Sequence, residues 1–95
     1  MARVRVRFIG TLRWAAKMDE TDMEVPEQTS VRDLLNKVFG MVDVEEGTSS
    51  AGQPQEFGRN MLILVNEVEV GLLNGFETIL RDGDKVTLIP TAHGG

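Results

Sequence analysis

The stretch "SVRDLLNKVFGMV", residues 30–42, decides the fold. Val31, Leu34, Leu35, Val38, Phe39 and Val42 recur at i, i+3, i+4, i+7, i+8 and i+11, which is the period of a helix with one wide apolar stripe. Ser30 and Asp33 open it as a capping box in which aspartate stands where glutamate is usual. Gly40 marks its last turn. A helix with so broad an apolar face needs a surface to lie on, and its flanks supply strands.

Upstream, Val4, Val6 and Phe8 alternate with Arg3, Arg5 and Arg7, the period of a strand with one buried face. Thr21, Met23 and Val25 alternate with Asp22 and Glu24 and stop at Pro26, giving a second strand. Antiparallel pairing would set the arginines against Asp22 and Glu24, each favourable pair contributing about 0.2–1 kcal/mol. The arginine stripe therefore reads as sheet structure rather than as a binding patch. Between the strands, "GTLRWAAK" reads as a short helix capped by Thr11, with Leu12, Ala15 and Ala16 on one side and Trp14 half exposed.

Downstream, residues 43–58 ("DVEEGTSSAGQPQEFG") are acidic and small, and are expected to form a flexible surface loop with Phe57 pinning its end. "MLILVNEVEV" is nearly continuous in apolar residues, which predicts a central strand buried on both faces. Asn66 and Glu67 turn the chain, and Val68 and Val70 begin a return strand. "LLNGFETIL" is irregular, with a turn at Asn74-Gly75. Asp82-Gly83-Asp84 forms a tight turn in which Gly83 takes a positive φ. It launches "KVTLIP", which Pro90 closes. The expected architecture is an α+β roll: a mixed sheet of four to five strands, one long helix on one face and one short helix. Residues 1–89 form the body and residues 90–95 a flexible tail.

Ninety-five residues make one domain. The chain has no cysteine, which excludes a disulfide, a thiolate metal site and a cysteine nucleophile. A net charge of −5 disfavours contact with nucleic-acid phosphates and suits solubility or a partner with a basic face. No signal-peptide pattern or membrane-length apolar run occurs, so a cytoplasmic protein is expected. In "GTSSAGQ", Gly47 and Gly52 have phosphate-loop spacing, but Gln53 replaces the lysine and Pro54 follows. Nucleotide chemistry must then come from another protein. His93 is the only histidine, and no carboxylate pair has the setting for acid–base work. Neither a catalytic set nor a metal site is expected.

The chain finishes on Pro90-Thr91-Ala92-His93-Gly94-Gly95. Two glycines at an end arise by chance in roughly one chain in two hundred. A terminal carboxylate is ionised at neutral pH and is a poor acyl donor until one oxygen becomes a leaving group, for example by joining to AMP. An activating enzyme would have to supply the ATP and magnesium, since this chain binds neither. Glycines remove bulk beside the reacting carbon and let an extended tail enter a narrow channel, at a cost in entropy.

These segments resemble the MoaD/ThiS branch of the ubiquitin-like β-grasp proteins. "FIGTLRWAA" is similar to the Phe-x-x-x-Leu-Arg segment of MoaD-like proteins, and "LVNEVEV", "LNGFETIL", "DGDKVTLIP" and the final Gly-Gly follow in the family's order. The resemblance implies a β-grasp carrier, not an enzyme. Gly95 would be adenylated by an activating enzyme, then converted by a sulfur donor protein to a thiocarboxylate for molybdopterin or thionucleoside synthesis, or joined to target lysines. Gly94 and His93 would be read by the enzyme. The His-Gly-Gly ending departs from the usual MoaD tail and looks more like the ubiquitin-related and small archaeal modifiers, which favours a dual carrier and modifier. Two other readings remain: the small subunit of molybdopterin synthase working with a large subunit, and a β-grasp binding module without tail chemistry. Lys17, Lys37 and Lys85, the only lysines, could accept another copy.

Overall fold

The computed structural model describes residues 1–41 and 61–90. The elements are β1 (Ala2–Phe8), α1 (Leu12–Ala16), β2 (Glu20–Val25), α2 (Val31–Met41), β3 (Met61–Val65), β4 (Val68–Glu69), 3-10 turns at Val70–Leu72 and Gly75–Glu77, and β5 (Lys85–Pro90). They build one five-stranded sheet in the order β2-β1-β5-β3-β4. β1 and β5 run parallel and the other pairs antiparallel, so the sheet is mixed, as expected.

Period-two alternation sends Ala2, Val4, Val6 and Phe8 to one face of the sheet, where Val86, Leu88, Ile63 and Val65 join them. The stripe of α2 closes over that face: Val31, Leu34, Leu35, Val38 and Phe39 are buried in the same cluster. Burial of each such side chain contributes about 1.5–3 kcal/mol. The capping box forms as read. Asp33 N–H donates to Ser30 Oγ at 3.1 Å, and Ser30 N–H reaches Asp33 Oδ2 at 3.5 Å. Val42, Phe57, Gly47, Gly52 and Gln53, with the rest of the 43–58 loop, lie outside the described residues.

Two tight connections fix β5. The Asn66-Glu67 hairpin turn holds both residues at positive φ, 53° and 71°, the backbone a two-residue hairpin demands. Asparagine tolerates it, and here its side chain is bound at both ends. Its amide donates to Asp84 Oδ1 at 2.8 Å, and its carbonyl accepts from Lys85 N–H at 3.0 Å. The Asp82-Gly83-Asp84 turn has Gly83 at φ 92° and is tied to β1, with Gly83 N–H donating to the Arg3 carbonyl at 2.8 Å.

Several expectations are corrected. β3 is not buried on both faces: Leu62 is 37% exposed and Leu64 half-buried, because no described element covers the outer face of the sheet. The central strand is β5 instead. Thr11 stands before α1 but makes no capping hydrogen bond. The Ile9, Gly10 and Thr11 carbonyls already accept from Leu12, Arg13 and Trp14 N–H at 3.1–3.3 Å, so the first amides need no side chain. In α1 only Ala16 is buried and Leu12 partly so. Ala15 faces water, since five residues leaning on β1 and β5 bury one narrow line. Trp14, expected half exposed, is 77% exposed.

Candidate functional site: the outer sheet face and the root of the tail

β5 is hydrogen-bonded on both sides and is the strand from which the tail continues. Its last residue, Pro90, sits opposite Met61 of β3. It also abuts the β1–α1 turn, where a Cβ added at Gly10 would lie 3.5 Å from Pro90 Cγ. Ile9 N–H donates to the Leu88 carbonyl at 3.0 Å, so the turn is clamped to the strand. The root of the tail is therefore rigid. Gly95, Gly94 and His93 lie outside the described residues.

The face of the sheet opposite α2 divides in two. Over β2 and β1, Arg3, Arg5 and Arg7 stand in register with Glu24, Asp22 and Glu20. Arg3 meets Glu24 at 3.1 Å, Arg5 meets Asp22 at 2.9 Å and Glu20 at 3.4 Å, and Arg7 meets Glu20 at 3.9 Å. Glu20 was missed in the sequence, although it continues the alternation two residues before Asp22. The hydrogen bond from Arg5 holds the Asp22 carboxyl below the ordinary carboxylate range, and the same bond raises the Arg5 guanidinium. The ladder borders an open trough of ≈740 Å³ that extends to the Asp82–Lys85 turn. Its carboxylates are exposed and engaged with arginines, the opposite of what acid–base catalysis requires.

Over β5 and β3 the face is apolar. Leu62 is paired with Ile89 and Leu64 with Thr87. Ile89 directly precedes Pro90, so this strip runs to the tail root. The sequence reading concealed it by counting β3 as doubly buried. The signal that could have found it is the outward position of Ile89 in "KVTLIP", set by alternation with Leu88.

The three lysines are not gathered. Lys17 ends α1 in a left-handed conformation, φ 61°, and is exposed. Lys37 is exposed on α2. Lys85 opens β5, half-buried, with Nζ 3.8 Å from Glu67 Oε2. Among the described residues no cluster of His, Asp and Glu could hold a metal ion, and no helix is long and apolar enough to cross a membrane.

The profile of the ThiS family matches residues 6–95. The chain is 26% identical over 95 residues to the ubiquitin-related modifier 1 homolog of Caenorhabditis elegans, covering 97% of this chain and 95% of that protein. It is 32% identical over 88 residues to a provisionally named sulfur carrier protein of Archaeoglobus fulgidus, covering 88% and 96%. The solution structure of small archaeal modifier protein 1 from Methanosarcina acetivorans superimposes with a TM-score of 0.74 at 26% identity, covering 100% of this chain and 98% of that one. The mixed sheet with its two helices is thus the ubiquitin-like β-grasp fold.

Proposed function

The chain belongs to the ThiS family and is a ubiquitin-like sulfur carrier or modifier, and we propose that its reactive group is the carboxylate of Gly95. A separate activating enzyme, holding ATP and magnesium, joins that carboxylate to AMP with loss of pyrophosphate. A sulfur donor protein then delivers hydrosulfide, which displaces AMP to leave a thiocarboxylate, or the amine of a target lysine displaces AMP with loss of a proton to leave an isopeptide bond. Gly94 and His93 form the segment that threads the enzyme's channel.

The observation that carries this reading is that the family match continues through the final Gly94-Gly95. The sheet supports it physically. A flexible acyl end works only if the body to which it is tied is held in place, because ordering glycines costs entropy that body contacts must offset. The rigid root at Pro90 and the uncovered strip of Leu62, Leu64 and Ile89 beside it supply such a place, and we assign the activating enzyme to it. The side-chain carboxylates of β2, engaged with the arginines of β1, take no part in the chemistry.

The test is incubation with the activating enzyme of the same organism, ATP, magnesium and a sulfur donor. The expected result is an intact-mass increase of one oxygen-to-sulfur exchange, located on Gly95. A chain lacking Gly94 and Gly95 should bind the enzyme but give no adduct. If that truncation still serves its cellular role, the protein is a binding module and the proposal fails.

A further inference from the structure

The one tryptophan of the chain is spent where it stabilises nothing. Trp14 is 77% exposed on α1, a helix that buries only Ala16. A large ring left bare forgoes the burial that makes tryptophan useful in a core, and such rings concentrate at the centres of protein interfaces. Its position is not arbitrary. α1 contacts both β1 and β5, and the turn that leads into it holds Pro90 through Gly10. Trp14 therefore rides on the collar around the tail root.

The charge around it is also distinctive. The chain carries a net −5, yet Leu12–Ala16 contains no carboxylate, and Arg13 and Lys17 flank the ring. Arg13 Nε donates to the Gly10 carbonyl at 3.4 Å and its other end lies 4.0 Å from Asp19, while Lys17 is exposed at the helix end. An exposed ring on a helix that carries cations and no carboxylate matches an apolar pocket rimmed by carboxylates. Met18, 38% exposed, extends the apolar part of the surface.

We propose that Trp14 anchors this chain in an acid-rimmed apolar pocket of its activating enzyme, next to the channel that receives the tail. The inference rests on the carrier reading above and adds to it a second point of attachment, on the helix side of the root, opposite the Leu62–Ile89 strip. Two anchors on either side of Pro90 fix the direction in which the tail leaves.

The experiment uses full-length protein labelled with 5-fluorotryptophan, which gives a single fluorine resonance because the chain has one tryptophan. Titration with the unlabelled activating enzyme should shift and broaden that resonance. Trp14→Ala should raise KM for ATP-dependent adenylation about 30-fold with kcat unchanged, the size of an interface hot spot. Trp14→Phe should restore most of it, and both variants should melt with the wild type because the ring supports no core. Arg13→Gln with Lys17→Gln should raise KM by less and weaken its salt dependence. An unmoved resonance at saturating enzyme, with adenylation intact, would overturn the anchor and leave the carrier reading standing. A shift produced by raising the concentration of this chain alone would assign the ring to a second copy, and overturns it too. Absence of adenylate from the wild-type chain would instead sink the carrier reading, and the anchor with it.

Discussion

The two halves of the uncovered sheet face solve the same problem in opposite ways. Over β2 and β1 the outward side chains are charged, and each arginine has a carboxylate across the strand. Over β5 and β3 they are Leu62, Leu64, Thr87 and Ile89, with no described element above them. The charged half is paired within the described residues, while the apolar half is left bare among them and is the surface to which we assign a partner. β5 belongs to both. Its Lys85 stands beside Arg5, a like-charge neighbour, and Glu67 draws the ammonium away. The division sets a half of this face that holds the sheet together beside a half, next to Pro90, to which docking is assigned.

The largest expected effect attacks that assignment directly. Leu62→Ser with Leu64→Ser should raise KM for adenylation by about 30-fold while changing the urea midpoint little, since neither side chain faces the α2 core. Arg3→Ser, on the charged half, should alter KM by less than about threefold, as rim charges do. Equal losses in the two variants would break the comparison.

Next in size is the strand the halves share. Gly83 at φ 92° has nothing within 4 Å of an added Cβ, so Gly83→Ala tests backbone conformation alone. A cost of about 1–2 kcal/mol in urea denaturation is expected, because an L residue resists that backbone. The turn sets the start of β5, and hence which residues of β5 face Arg5 and which face Leu62. Undiminished stability would mean that the turn does not enforce the register.

Much of this was legible in the sequence, for identifiable reasons. The stripe of α2 and the alternation of β1 are long and periodic, and each is enforced by burial on one side only, so their faces follow directly. The Ser30–Asp33 cap and the Gly83 turn are local chemistry and read locally. β3 misled because five consecutive apolar residues carry no period. Whether Leu62 and Leu64 are covered depends on what lies across the sheet, which is tertiary information. Thr11 misled because the chain satisfied the amides of α1 through backbone carbonyls of the preceding turn. Of the candidate site, the structure describes only the strip and the root of the tail. The residues of the tail were named from the sequence, whereas the strip beside its root emerges only when β5 brings Ile89 against Leu62.

The smallest effect concerns the charged half. Asp22 is held below its ordinary pKa by the hydrogen bond from Arg5, with Arg5 and Arg3 also favouring its charged form and desolvation opposing them. A depressed carboxyl contributes stability that is full above the unfolded value and is lost as pH falls through the folded one. The window therefore lies below about pH 4. Arg5 stays charged throughout it, so protonation of the carboxylate alone breaks the pair. Asp22→Asn should lower the urea midpoint slightly at neutral pH, and the gap from wild type should close in acid. Because both partners are exposed, roughly 1 M salt should shrink the same gap at neutral pH. A gap that survives both treatments would trace to side-chain packing along β2 rather than to charge. The ladder would then hold the sheet by contact, as the apolar half is proposed to hold a partner, and the two halves would differ in occupant rather than in physics.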